Sequence, residues 1–393
     1  MSGAWLSLVG IGEDGLAGLS EAARAALEGA EVVFGGARHL ALAGVEGARA
    51  RVWPVPFDAG GVLACRGRPV AVLVSGDPFW HGAGGSLMPH LAAGEWVAHP
   101  AVSTFQWAAG RLGWRLEEVT CLGLHAAPFA RLVPVLGRGV PVIALVRDGA
   151  AAGALADWLC ASGFADARMW VMEALGGPRE RVREVAAAGF DLGDVAAPVA
   201  VAITTGAIGL SCAGGLPDAG FAHDGQITKA PIRALTLAAL APRPGDLLWD
   251  IGAGSGSVSV EFCLAGGRAV CVEARGDRAA NIRANAAGFG LEHRMTVVEG
   301  RALEALDGLP APDAVFVGGG CDAALLGRMW ERLAAGTRLV VNAVTIETEA
   351  LLAGWQARHG GTLMRIDIAM AAPLGAMRGW SAARPVVQWS VVR

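Results

Sequence analysis

The stretch Leu247–Phe262, LLWDIGAGSGSVSVEF, restricts the fold of this chain more than any other. An apolar strand run carries Asp250 near its end, glycines follow at Gly252, Gly254 and Gly256, and a helical pattern starts at once. Closely spaced glycines let the backbone turn through left-handed conformations and approach a ligand. Strand, tight turn and helix in this order belong to an α/β sheet, whose ligands bind at the carboxyl ends of the strands. The spacing is G-x-G-x-G. A dinucleotide fingerprint requires G-x-G-x-x-G and a phosphate loop requires G-K-[ST], so neither is met. The plain alternative is a strand-to-helix turn with no ligand.

S-adenosylmethionine has an amino-acid end, a sulfonium and a ribose, but no phosphate. The backbone of Gly252, Gly254, Ser255 and Gly256 would lie against its methionine portion, and Asp250 would face its cationic part. Glu273 closes the next strand run. A carboxylate there accepts both ribose hydroxyls, although it would suit NAD equally.

Apolar strand runs alternate with alanine-rich helical stretches along the whole chain, which predicts α/β architecture. After the glycine- and proline-containing segment 206–224, expected to be a linker, seven strands are predicted: Leu247–Ile251, Ala269–Glu273, Met295–Val298, Ala314–Val317, Arg338–Asn342, Leu363–Ala369 and Val386–Val391. The first five alternate with helices and the last two form an antiparallel hairpin. That is the sheet of a class I Rossmann-like methyltransferase rather than the six-stranded dinucleotide fold. Strand runs before the linker include Trp5–Ile11, Val32–Phe34, Val70–Ser75, Val140–Val146 and Val199–Ile203. Two domains, 1–205 and 225–393, are therefore expected.

Composition narrows the partners. Net charge is −4, and Lys229 is the single lysine among 32 basic residues. No basic stripe suggests nucleic acid, and no apolar run of about 18 residues suggests a membrane span. No charged n-region followed by an apolar h-region opens the sequence. The seven cysteines form no C-x-x-C pair; a reduced, cytoplasmic setting is expected, with no metal site.

The stretches HDGQITKAPIRALTLAAL, LLWDIGAGSGSVSVEF, VFVGGG and LVVNAVTIETEALL resemble the CbiT family of precorrin methyltransferase/decarboxylases over most of residues 215–393. LVGIGEDGLAGLS, SGDPFWHGAG, HPAVSTFQWAAGRLGW and MEALGGPRERV resemble the CbiE branch of the tetrapyrrole methylases over residues 5–183. Fused in this order, they resemble the CobL-type bifunctional enzymes of corrin biosynthesis. The resemblance implies an N-terminal bilobal tetrapyrrole-methylase (class III) fold ahead of the class I domain. It also implies one S-adenosylmethionine site per domain and a precorrin substrate, methylated at C5 by the first half and at C15 by the second, which also decarboxylates the C12 acetate.

The resemblance places cofactor contacts at Gly10, Gly12, Gly76, Asp77, Ser103, Thr104 and Gly176 in the first half. In the second half they fall at Thr228, Gly252–Gly256, Glu273 and the turn Gly300, Arg301, Ala302. The chain departs from the family in two places. Gly10-Ile11-Gly12-Glu13-Asp14 replaces G-x-G-P-G, and Cys121-Leu122-Gly123-Leu124-His125-Ala126-Ala127 replaces S-x-H-G-R, with no arginine.

Methyl transfer to carbon needs in-line alignment, and decarboxylation needs groups that manage protons. The residue types and positions nominate His223, Asp224 and Lys229 just before the domain, and Asn342 and Glu347 at and beyond the fifth strand. Each has the alternative of a surface or satisfied core residue. Two other functions stay open: a methyltransferase of another substrate such as RNA, and an N-terminal half that only binds substrate. A homo-oligomer is expected.

Overall fold

The computed structural model describes residues 4–54 and 57–393. They form two compact units: one runs up to Phe129 and resumes over Val135–Gly209, and the other comprises Ala130–Pro134 with Leu210–Arg393.

The first unit holds two five-stranded sheets. One contains β1 (Leu6–Ile11), β2 (Val32–Gly35), β3 (Ala50–Val52), β4 (Val70–Ser75) and β5 (Trp96–His99) in the order β3-β2-β4-β1-β5. Its strands are all parallel. Apolar side chains of β1 and β4 are buried on both faces, which explains their unbroken apolar sequences. The other contains β6 (Thr120–Gly123), β7 (Val142–Val146), β8 (Arg168–Glu173), β9 (Arg181–Ala186) and β10 (Val199–Thr204) in the order β6-β7-β10-β8-β9. Only β6 and β7 pair in parallel there. Two sheets give the two lobes expected of a tetrapyrrole-methylase fold.

The second unit is built on β11 (Leu247–Ile251), β12 (Arg268–Glu273), β13 (Met295–Glu299), β14 (Ala314–Val317), β15 (Arg338–Ala343), β16 (Thr362–Ile366), β17 (Ala369–Leu374), β18 (Met377–Ala382) and β19 (Val386–Val392). Seven of these form one sheet in the order β13-β12-β11-β14-β15-β19-β16. The first five are parallel, and β19 enters antiparallel between β15 and β16. This is the class I arrangement that the strand count predicts.

The sheet separates two cores. Trp249, Ile251, Val315 and Leu339 pack on one face with the helices Ala323–Arg332 and Ile346–His359. Leu248, Phe316 and Val340 pack on the other with the helices Ala230–Leu240, Ser257–Leu264 and Gly276–Gly288.

Two expectations need correction. The sixth strand ends at Ile366 rather than Ala369, and β17 and β18 form a separate hairpin. Much of the segment 206–224 is not a free tether. Leu216 and Phe221 are buried in the second unit's core, and the Glu261 carboxylate accepts the N–H groups of Gly215 and Leu216 at 2.6 and 2.9 Å. Apolar burial and backbone hydrogen bonds bind the chain from Leu210 onward into the unit.

Candidate functional site

In the second unit, the loop after β11 and the end of β12 meet because the two strands are parallel neighbours. Gly252, Gly254 and Gly256 have φ of +69°, +59° and +70°, a region that L-residues rarely enter. A Cβ on Gly252 would lie 2.9 Å from the Gly319 carbonyl oxygen, and one on Gly256 would lie 2.9 Å from the Ile282 side chain. A Cβ on Gly254 would meet nothing within 4 Å. The outer glycines thus serve packing, and the middle one faces open space. Its N–H donates to Glu273 Oε2 at 2.9 Å, while Glu273 Oε1 accepts the Arg275 N–H at 3.0 Å.

This loop forms one wall of a cavity of about 820 Å³, within the usual range for small-molecule sites. Gly252–Ser255, Gly318 and Gly319 line it from the strand ends, Gln226–Ile232 from the chain entering the helix Ala230–Leu240, Ile366, Met370 and Val386 from the far strands, and Ile368 from the link between β16 and β17. Arg278, Lys229 and Arg384 supply its cationic groups. Asp224 holds Arg278 at 2.9 Å, and Asp218 lies 3.5 Å from the Lys229 ammonium. Among the described residues Arg384 forms no ion pair.

Of the predicted residues, Thr228, Lys229, Gly252, Gly254, Ser255 and Asn342 come together on this cavity. Glu273 is outside that lining and touches it through Gly254, whose N–H its carboxylate accepts. Asp250 does not reach the wall. Alternation along β11 puts it on the face of Leu248, 1% exposed, where it accepts the Ser259 hydroxyl at 2.6 Å through Oδ2. Its Oδ1 has no partner among the described residues. Burial, opposed by the Ser259 hydrogen bonds and aided by the Glu273 charge, pushes its pKa up to about 6.

Asp224 lies off the lining and pairs with Arg278, with its carboxyl held below the usual range by the Gln226 N–H and by that guanidinium. His223 accepts the Gly225 N–H at 3.0 Å in a turn off the cavity lining. Glu347 is exposed in the first turn of the helix Ile346–His359, also off the lining, because Thr345 caps that helix and turns the chain away. The Gly300 N–H donates to the Glu273 carbonyl at 3.0 Å and Arg301 precedes the short helix starting at Ala302, all three beyond the lining.

In the first unit a Cβ on Gly10 would stand 1.9 Å from the Gly76 carbonyl oxygen, so β1 and β4 converge where only glycine fits. A Cβ on Gly76, at φ +60°, would lie 2.8 Å from the Ser103 Cα. A Cβ on Gly12 would meet Asp14 Oδ1 at 2.6 Å. Asp77 Oδ1 accepts the Phe79 N–H at 2.7 Å. Ser103 and Gln106 form a reciprocal cap on the helix Thr104–Leu112. The Gly176 N–H donates to Glu180 at 2.6 Å. Ser103 and Thr104 line a cavity of about 170 Å³ with His39, Trp53 and Ser75; Gly10, Gly12, Gly76, Asp77 and Gly176 frame the strand ends outside that lining. Burial and the Arg38 charge lower the His39 pKa to about 4.

Residues 6–191 match the family of tetrapyrrole (corrin/porphyrin) methylases, and residues 219–393 match the precorrin methyltransferase domain. A precorrin-6Y C(5,15)-methyltransferase [decarboxylating] of a Sinorhizobium species is 48% identical, covering 98% of this chain and 96% of its own. The chain belongs to the precorrin-6Y C(5,15)-methyltransferase (decarboxylating) family. A Mycobacterium tuberculosis member is 40% identical over 98% of this chain and 99% of its own. The crystal structure of the C-terminal domain of a Rhodobacter capsulatus member is 64% identical, covering 47% of this chain and 100% of that one, with a TM-score of 0.46. Methyltransferases of both matched families imply use of S-adenosylmethionine.

The C-terminal site fits that cofactor. Gly254 leaves room for close approach, and each Glu273 oxygen, having accepted one N–H, keeps a lone pair for a ribose hydroxyl. Arg278, Arg384 and Met370 also line the cavity, and nothing in the sequence of this family member marks them. No motif distinguishes one arginine from another, and Met370 lies on a strand that carries a proline.

Proposed function

We propose that this chain methylates precorrin-6B at C5 and C15 and removes the C12 acetate carboxyl group as carbon dioxide, giving precorrin-8. Two S-adenosylmethionine sites, one per half, would serve the two transfers. The single observation carrying this reading is that Gly254, whose N–H is held by Glu273, lines a cavity large enough for cofactor and part of a macrocycle.

When bound, S-adenosylmethionine supplies an electrophilic methyl group. The chain's own residues align and enclose it. Glu273 holds the ribose, and the Gly252–Ser255 backbone leaves space for the methionine portion. Arg384, Lys229 and Arg278 draw in the substrate's carboxylates, a guanidinium being suited to bidentate grip. Ile366, Ile368 and Val386 line the far wall. They keep water from the carboxylate, so that its charge is weakly solvated and its electrons move readily into the conjugated ring. Lys229 lines the same cavity and its ammonium could donate the proton.

A second reading has the N-terminal half bind substrate without methylating it. It is favoured by the cavity of about 170 Å³, below the roughly 300 Å³ of typical ligand sites, and by the missing arginine after His125. We also read the enzyme as cytoplasmic and homo-oligomeric, which fractionation and light scattering would test.

Calorimetric titration of S-adenosylmethionine into the full chain should give two sites. Incubation with precorrin-6B should add two methyl groups and remove one carboxyl group, followed by mass spectrometry. One site with one methyl added would establish the second reading.

A further inference from the structure

Asn342 on β15 and Gln388 on β19 are direct register partners, so their side chains share a sheet face. Thr236, on the helix Ala230–Leu240 that packs there, completes a polar triad. The exposures are 0% for Thr236, 2% for Gln388 and 6% for Asn342. Asn342 lines the cavity, whereas Thr236 and Gln388 do not. Burying three polar side chains is unfavourable unless each is hydrogen-bonded. A triad whose members bond one another fixes one arrangement.

The direction of every bond follows from proton counting. The Thr236 hydroxyl has one proton, and it goes to the Ile232 carbonyl at 2.8 Å. Its oxygen can then only accept, and it does so from Asn342 Nδ2 at 3.0 Å and Gln388 Nε2 at 3.2 Å. The other N–H of Gln388 goes to Asn342 Oδ1 at 3.0 Å. Thr236 and Gln388 have spent all their side-chain protons. One proton of the triad is unspent, the second N–H of Asn342, on the one member that reaches the cavity.

We infer that Asn342 is a hydrogen-bond donor to the substrate, and that Thr236 and Gln388 are positioning residues that hold its amide in that orientation. This rests on the C-terminal reading proposed above. Its ligand is an acceptor atom of the acidic tetrapyrrole, a carboxylate oxygen or an unprotonated ring nitrogen. The neutral amide neither gives up nor takes a proton. This separates Asn342 from the acid–base role that its strand-end position suggests. Turning the amide over would present an oxygen to a carboxylate and repel it.

The full-length chain tests this with precorrin-6B as substrate. kcat and KM for C15 methylation and decarboxylation are read by mass spectrometry, cofactor affinity by calorimetry, and stability by thermal melting. Asn342→Leu should lower kcat/KM for precorrin-6B about 10- to 100-fold, the size of a hydrogen bond to a charged acceptor. S-adenosylmethionine affinity should stay within about 2-fold, as the triad lies off the glycine loop. Gln388→Met, which never touches substrate, should reproduce most of the loss. Thr236→Val should do the same, and Thr236→Ser, which keeps the hydroxyl, should restore activity.

Rates are normalised to the folded fraction counted by cofactor titration, so a partly unfolded variant still reports. The inference is overturned if Gln388→Met and Thr236→Val melt earlier yet keep wild-type kcat/KM per folded site, or if Thr236→Ser is as impaired as Thr236→Val. A wild-type chain that binds cofactor but leaves precorrin-6B intact would instead overturn the underlying functional reading.

Discussion

Arg233 and Glu261 face each other with Nε 2.5 Å from Oε1, their side chains 0% and 3% exposed. Glu261 also takes the N–H groups of Gly215 and Leu216. Arg233 donates to the carbonyls of Leu216 and Thr228 and lies over the Phe221 ring, 4.7 Å from its centroid. The pair therefore clamps the segment that delivers Thr228 and Lys229 to the cavity. Removing Glu261 leaves the buried Arg233 with Asp218, at 3.2 Å, as its remaining carboxylate, so the cost is at most that of a broken buried pair, about 3–5 kcal/mol. Glu261→Ala should lose stability up to that limit in urea unfolding of the second unit's signal.

Glu273 offers a sharper test of cofactor binding. Glu273→Ala removes the carboxylate that receives Gly254 and would receive the ribose. S-adenosylmethionine affinity at the C-terminal site should fall by about 1.5–3 kcal/mol, the value of a hydrogen bond to a charged group. Titration calorimetry would show the first-unit site unchanged. Equal affinity in both proteins would mean that the ribose lies elsewhere.

The three loop glycines should separate by substitution. At Gly254 a side chain enters open space on the cavity wall. Gly254→Val should therefore abolish C15 methylation and decarboxylation while leaving most of the fold, apart from roughly 1 kcal/mol of left-handed backbone strain. At Gly256 a Cβ meets Ile282, so Gly256→Ala should lower the melting temperature further. The C5 methylation, assayed on an intermediate supplied ready for it, should survive both changes.

Asp250 predicts a pH signature. Its folded pKa of about 6 lies above the ordinary 3.8. The folded state therefore binds the proton more tightly than the unfolded one, and the group destabilises the protein as pH rises from about 4 to about 6. The full penalty, about 3 kcal/mol at 1.36 kcal/mol per pH unit, is present at neutrality. Asp250→Asn should remove this part of the pH dependence in denaturant unfolding at pH 4, 5, 6 and 7. An unchanged slope would show that the carboxylate is solvated in the folded chain.

The parallel strands of the second unit were legible because runs such as LLWDI and AVFV are apolar throughout, as strands buried on both faces must be. Strand β9, RVREVA, alternates with charged residues, so no apolar run marks it. The hairpin β17–β18 was hidden by Pro373 and by largely exposed side chains, which leave no buried stripe to read. For the site, residue type was readable but facing was not. Asp250 has the chemistry for a cationic ligand, yet two-residue periodicity turns it beneath the loop. Asn342 was readable as a strand-end polar group. Its partners Thr236 and Gln388 stand 106 and 46 positions away in sequence, so only the sheet order brings them together.

The place of β19 between β15 and β16 also governs how the chain can fold while it is being synthesised. A nascent chain that has reached residue 385 carries β11 to β15 and the glycine loop, but β15 and β16 have nothing between them. Both then present unpaired edges, which invite pairing with other chains. The sheet closes only when the seven residues of β19 have left the ribosome, and that same event brings Gln388 to Asn342. A polypeptide cut short before this point has the residues of the Gly254–Glu273 contact and lacks the Gln388 amide that pairs with Asn342. With β15 and β16 both open, such a polypeptide presents two unpaired strand edges, so β19 joins two otherwise separate parts of the sheet.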